Sequence, residues 1–431
     1  MKVDRVISRK IRIISNKLIN KKLSCFFLNG ILLKEKINKS LSKIILSIFV
    51  SLSVSAQNST STLTPSSGAG SSATSTSSVL SDTTVKNTGA VTITTLGRNV
   101  QDQSLNSVVG WSFAEFGIKS KFNEWFTFDF NLVGIFGEGA GQNYLSDEGA
   151  SANTIIIDSI GVALKPIKQL ELKAGVIRYK INPLLSTMSA NTSLGSEQTL
   201  EFSNDSETMK LSFIGNEAMP STGITKTSVD KENTPFFLAG TVKGELNSKI
   251  INTKLKGAVT QFKMGNLPRS QAKGALTGGN SRSSVTGLGD QMEYVIGFAG
   301  YETAGVIETD WTPNLTTSIK GVKIINNSAF EESNEGTRGI FEIKWKRGNV
   351  TLTPSWSVFN IQADTTPAPY SILPNRLNNR EGQKISLSVD FEKQKLGFFG
   401  DYTKADVIVG SPYLTDREIF NLGVEVKYDL F

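Results

Sequence analysis

From about residue 112 to the end of the chain, apolar side chains recur at every second position in segments of roughly ten residues. Short polar turns and long polar stretches join these segments in alternation. Ala114, Phe116 and Ile118 alternate with Glu115, Gly117 and Lys119, and the chain turns at Asn123-Glu124. Phe126, Phe128, Phe130 and Leu132 then alternate with Thr127, Asp129 and Asn131. In a strand the two sets point to opposite faces, one greasy and one charged. The unit recurs at Leu170, Leu172, Ala174 and Val176 after the turn 165–168, and around turns at Asn247-Ser248, 312–314, Gly348-Asn349 and 392–394. Such turns use the Pro, Gly and Asn chemistry of tight reversals.

The longer connections, near 138–153, 180–198, 215–234, 264–291, 326–338, 361–382 and 403–416, are polar. Short turns at one end and long loops at the other are the asymmetry of a transmembrane β-barrel, with the short turns on the periplasmic side. A spanning strand needs only about 9 to 11 residues with alternate positions apolar, which suits a mean hydropathy of -0.12. No apolar run after residue 56 is long enough for a membrane-spanning helix. The fold class expected is therefore all-β, a transmembrane antiparallel barrel. Six clear short turns, a seventh at Asn204 to Glu207, a first strand near Ala90 to Arg98 and a final strand give about sixteen strands, with fourteen or eighteen also open.

The formal charge of +7 sits at the N-terminus. Residues 1–56 hold twelve basic and two acidic residues, which leaves 34 basic and 37 acidic residues in the rest. Nucleic acid is thus not an expected partner. Basic residues up to Lys43, the apolar run Ile44 to Val54 and the small pair Ser55-Ala56 form an export signal with cleavage before Gln57. The domains expected are a basic leader and signal peptide at 1–56, a disordered Ser/Thr-rich linker at 57–88 in the periplasm, and a barrel at 89–431. The linker is too poor in apolar residues to offset its ordering entropy. Cys25, the one cysteine, precedes the cleavage site, so no disulfide or thiolate metal site is expected.

Trp125, Trp311 and Trp345 lie close to short turns, where an aromatic girdle meets the membrane interface. The final strand carries the apolar row Phe420, Leu422, Val424, Val426, Tyr428 and Leu430 and ends on Phe431. It resembles the C-terminal signal that barrel-assembly machinery reads, although Phe431 falls on the opposite parity. Outer-membrane lipid and that machinery are the partners this implies.

Sixteen strands enclose a water-filled channel, whereas about eight are filled by side chains. Passive diffusion of small hydrophilic solutes or ions is the function this suggests. Lys243, Lys254, Lys256, Lys320, Lys344 and Lys346 share the inward parity with Glu245 and Glu342, a basic wall that would attract anions; a mixed-charge lumen is the alternative. In the connection 181–198, Pro183, Leu184, Leu185 and Met188 are too apolar for a free loop and suit a constriction or a subunit contact. The Gly/Ser-rich stretch 264–291, with Arg269, Lys273 and Arg282, reads as a flexible external loop.

The order Phe116-Gly117-Ile118-Lys119 with Trp125 and Phe126, then Ser159-Ile160-Gly161-Val162 before Pro166, then Leu170-Glu171-Leu172-Lys173-Ala174-Gly175, resembles the opening of the phosphate-selective and related sixteen-stranded bacterial outer-membrane porins. The resemblance covers roughly residues 108 to 185 and implies a homotrimer and anion passage. It departs from that family in lacking an arginine ladder, and in carrying a Ser/Thr tract where some members have a helical extension.

Without histidine, Ser-His or Cys-His catalysis and His-ligated metals are excluded. No glycine motif has the strand-to-helix setting that cradles phosphate. No enzymatic activity and no cofactor are expected. The competing reading is an adhesin or surface-binding barrel acting through its long loops.

Overall fold

The structure, a computed structural model, describes residues 86–430 except 103–105, 141–152, 178–192, 221–233, 268, 270–271, 273–278, 285–291, 369–377 and 411–413. The alternating segments become strands β1 (Lys86–Asp102), β2 (Asn106–Lys121), β3 (Phe126–Ala140), β4 (Asn153–Ile167), β5 (Leu170–Ile177) and β6 (Ser193–Ser203). They continue as β7 (Met209–Pro220), β8 (Phe236–Ser248), β9 (Thr253–Gly265), β10 (Arg282–Ser284), β11 (Met292–Tyr294) and β12 (Phe298–Thr312). The last six are β13 (Leu315–Asn326), β14 (Glu335–Arg347), β15 (Val350–Ile361), β16 (Arg380–Phe391), β17 (Leu396–Val407) and β18 (Arg417–Asp429).

All but β10 and β11 form one closed antiparallel barrel of sixteen strands in chain order, with β12 following β9 and β18 closing on β1. The strand number agrees with the count from turns. β10 and β11 form a separate hairpin inside the β9–β12 connector. The seven short turns lie at the same end as both barrel termini, as antiparallel order and an even strand number require. Their chemistry is local: Asn123 Oδ1 accepts from the Trp125 and Phe126 amides at 3.0 and 2.7 Å, and Asn204 Oδ1 accepts from the Met209 amide at 3.0 Å. Gly348 takes φ 60°, a left-handed conformation that closes the two-residue β14–β15 turn.

Register fixes which residues share a face. Trp345, Ile343 and Phe341 of β14 stand opposite Leu315, Thr317 and Ile319 of β13, and Phe341 stands opposite Trp356 of β15. These and their equivalents point outward and are exposed although large and apolar, for example Ile319 at 57 % and Leu422 at 60 %. A contiguous apolar exterior of this extent marks a surface whose solvent is lipid. Toward the long-loop end the same outward rows turn polar, at Thr337 and Glu335 on β14, Gln383 and Glu381 on β16, and Lys404 and Asp406 on β17. From Trp345 to Thr337 a strand tilted by about 40° climbs roughly 20 Å, close to the height of a barrel's apolar band.

The inner face has two tiers. Nearer the short turns it is charged. Nearer the long loops it turns apolar, and Phe237, Phe262, Met264, Phe298, Ile324, Phe359 and Ile361 form one buried cluster. These occupy the charged or, on β15, the Thr/Ser parity of their strands, so they face into the barrel. Leu267 and Tyr294 of the β9–β12 connector pack against them, and the Tyr294 ring meets Phe298 edge-on at 5.3 Å. Ala272 of the same connector is fully buried.

The stretch 264–291 is therefore not the free external loop that its Gly/Ser content suggests. Met264, Ala272, Gly279 and Asn280 are buried and Leu267 packs on the inward cluster, because Phe262, Met264 and Phe298 give the stretch an apolar seat. Each such aromatic, taken from water, contributes about 1.5–3 kcal/mol.

Candidate permeation pathway

The charged tier is a lattice of ion pairs between neighbouring strands. Lys173 of β5 lies between Glu171 at 3.1 Å and Glu197 of β6 at 2.8 Å. Lys210 meets Glu201 at 2.8 Å, and Lys384 meets Asp401 at 3.2 Å.

The six lysines of the expected basic wall lie on this inner face. Lys243 pairs with Glu245 at 2.6 Å. Lys254 reaches Glu308 at 3.1 Å and Asp310 at 3.6 Å, and Lys320 reaches Glu342 at 3.1 Å. Lys346 pairs with Glu392 at 2.7 Å. Lys256 stands in register with Glu245 and with Val306, and no described carboxylate lies within ion-pair distance of Lys256 or Lys344. Glu308, Asp310 and Glu392, which the sequence reading did not weigh, supply counter-charges from the adjacent strand and turn. Glu392 sits in the β16–β17 turn, and its carboxyl is held below the usual carboxylate range by hydrogen bonds from Lys346 and Thr351.

Above the charged tier the connector is fastened by polar contacts. Asn280 Nδ2 donates to the carbonyls of Ala363 and Thr366, both at 2.8 Å, and its Oδ1 accepts from the Ala368 amide at 2.8 Å. The Ser281 amide and hydroxyl donate to the two carboxylate oxygens of Asp364 at 2.8 and 2.7 Å. Asn326 Nδ2 donates to the Asp364 carbonyl at 2.7 Å. A cavity of about 340 Å³ remains between these loops, lined by Asn280, Arg282, Gln362, Asn379 and Val409. The amides of Asn280, Gln362 and Asn379 that line it are already bonded to backbone.

The side of the barrel formed by β1–β4 differs. Leu96 and Trp111, and Phe113 and Ile135, face inward in register; with Val133 opposite Glu115 they are partly exposed, and Ile156 beside them is 42 % exposed. The sequence reading missed this shelf because it took the charged parity of β2 from Glu115, Gly117 and Lys119. Two and four residues earlier the same parity carries Phe113 and Trp111, which was the signal available.

Trp125, Trp311 and Trp345 are exposed at 55, 65 and 44 % beside the β2–β3, β12–β13 and β14–β15 turns. The Trp311 indole N–H donates to Thr317 Oγ1 at 2.8 Å. Leu422, Val424, Val426 and Tyr428 point outward at the seam, opposite Gly97, Thr95, Ile93 and Val91 of β1. The Leu430 amide donates to the Gly89 carbonyl at 2.8 Å. Phe431 and the constriction candidates Pro183, Leu184, Leu185 and Met188 lie outside the described residues.

No family model matches the sequence, and no curated protein matches it either. Among solved structures the chain is similar to Pseudomonas putida OprB, at 10% identity over 80% of this chain and 94% of that one, with a TM-score of 0.51. Vibrio cholerae OmpT lacking loop L8 aligns at 8% identity over 80% and 99%, TM-score 0.48. Pseudomonas aeruginosa OccK8 aligns at 11% over 80% and 98%, TM-score 0.43. At 10% identity what the chain shares with OprB is the fold, a closed sixteen-stranded barrel of the outer-membrane porin type.

Proposed function

We propose that the chain is an outer-membrane porin through which small hydrophilic solutes and ions diffuse passively. The observation that carries this reading is a closed sixteen-stranded wall that is apolar outside and charged inside. A barrel of this size encloses water, and a charged inner wall is stable only if water or counter-charge meets it. The N-terminal residues would sit in the periplasm, on the side of the short turns. Outer-membrane lipid, the assembly machinery reading β18, and a homotrimer complete the proposal.

Selectivity follows from the pairing. Four of the six candidate lysines are matched by carboxylates, so an anion preference would rest on Lys256 and Lys344. The lattice supports a small preference at most, since paired charges cancel beyond a Debye length of about 8 Å at physiological salt. The full chain in a planar bilayer under a salt gradient tests both points: discrete conductance steps with a reversal potential near zero are expected, and a strong cation preference would rule the anion reading out.

The seated connector favours a second reading, in which the barrel is closed and its long loops act as an adhesin or receptor. An ion-tight barrel in the same experiment would favour it over the porin.

A further inference from the structure

On the β1–β4 side, the six-membered ring of Trp111 lies flat across the backbone of Gly137, where an added Cβ would stand only 2.1 Å from the indole. The indole thus turns its other face to the lumen. Phe113 extends it, with ring centroids 6.4 Å apart and planes 24° from parallel. Leu96 flanks Trp111, and Ile135 flanks Phe113. The part of this apolar shelf that stays exposed on a water-filled wall costs free energy until something covers it.

Beside the shelf stands a carboxylate without a cation. Glu115 follows Phe113 on the same face, about 7 Å along the strand. Asn131 Nδ2 holds one of its oxygens at 2.5 Å and reaches Asp158 Oδ2 at 3.4 Å. A β-bulge at Asn131/Leu132 sets Asp158 there. Elsewhere on the inner wall Glu171, Glu197, Glu201, Glu245, Glu308 and Glu342 each meet a lysine, whereas Glu115 is exposed and forms no ion pair with a described residue. Arg98 of the adjacent β1 donates through Nε to Asn421 at 2.8 Å, and Lys427 of β18, one strand further on, is taken by Glu425 at 2.6 Å.

We propose that Leu96, Trp111, Phe113 and Ile135 with Glu115 form a subsite in the pore for organic cations that carry a flat ring, of the arylalkylammonium type. The inference rests on the porin reading. The ring lies on Phe113, with the indole of Trp111 beside it, and the ammonium group reaches Glu115. An indole face also attracts a cation directly, which adds to the preference over an anion of the same shape.

The test is current through the full chain in a planar bilayer with three probes: phenethylammonium, phenylacetate of opposite charge, and butylammonium without a ring. Phenethylammonium is expected to reduce the current at roughly tenfold lower concentration than either of the others. Glu115→Gln should remove its advantage over phenylacetate. Phe113→Ala should remove its advantage over butylammonium, and Phe113→Tyr should keep most of it, which covers the case of an alanine variant that does not fold. Discrete conductance steps in salt alone show which variants have folded into a barrel. Equal action of the three probes on a conducting barrel, unchanged ranking in the variants, or stronger block by neutral maltotriose would overturn the subsite and leave the porin reading intact. A barrel that passes no current would overturn both.

Discussion

Glu392 and Lys346 show how single residues set the charge of the short-turn mouth of the barrel. The Glu392 carboxyl titrates below its ordinary range because Lys346 and Thr351 donate to its charged form. A carboxylate whose folded value is depressed stabilises the fold above its unfolded value, and that contribution is lost as pH falls through the folded value. Lys346→Met should therefore move the Glu392 titration upward toward the ordinary carboxylate range, which carboxyl-carbon NMR against pH would read. An unmoved titration would mean that the hydrogen bonds from Lys346 do not persist in solution. The pair also shows what one strand's sequence leaves out: Lys346 looks free along β14, and its partner comes from a turn 46 residues later.

At the scale of elements, the outer and inner rows of one strand should respond differently to the same substitution. Ile319 faces outward in the apolar band and is more than half exposed. In a soluble protein Ile319→Lys would be nearly neutral, but in a bilayer it should cost about 2–4 kcal/mol near the midplane. Urea unfolding from lipid vesicles, compared with the parent, would show it, and a shift under 1 kcal/mol would argue against a membrane-facing wall.

The connector invites a second prediction. Asp364 is buried and accepts from Ser281 at two oxygens, so Asp364→Ala should release this end of the β9–β12 connector, at a cost of about 1.5–3 kcal/mol per charge-assisted bond. Faster amide exchange at Ser281 and larger single-channel conductance are expected; unchanged values for both would refute the fastening role. The seat itself was written in the sequence: Phe237 and Ala239, Phe262 and Met264, and Val322 and Ile324 fall on the charged parity of their strands, and Phe359 and Ile361 on the Thr/Ser parity of theirs. What could not be read was which connector would fill the space, because that depends on side chains brought together from strands over a hundred residues apart.

For the whole molecule, alternation and turn chemistry were enough to give the strand number and to put the short turns at the end that holds both barrel termini, since both are local. Charge balance in the lumen was not legible, because counter-charges such as Glu308 opposite Lys254 belong to strands whose adjacency the connector conceals: β9 pairs with β12 across a hairpin and 32 residues. The same separation of local from distant contacts governs the closure of β1 on β18. Fifteen neighbour pairings can form along the chain, but this one joins Thr94 to Glu425, 331 residues apart. In an otherwise unpaired chain such a closure would cost about 3 kcal/mol more in entropy than a ten-residue turn, so the seam is expected to form after its neighbours. Until then the sheet has two open edges, one of them β18 with its outward apolar row, and each edge can be satisfied only by the other or by a strand from outside the chain. Timing is thus built into the topology: the chain's two ends stay exposed to pairing partners longest, and the step that makes the wall continuous is also the one that ends that exposure.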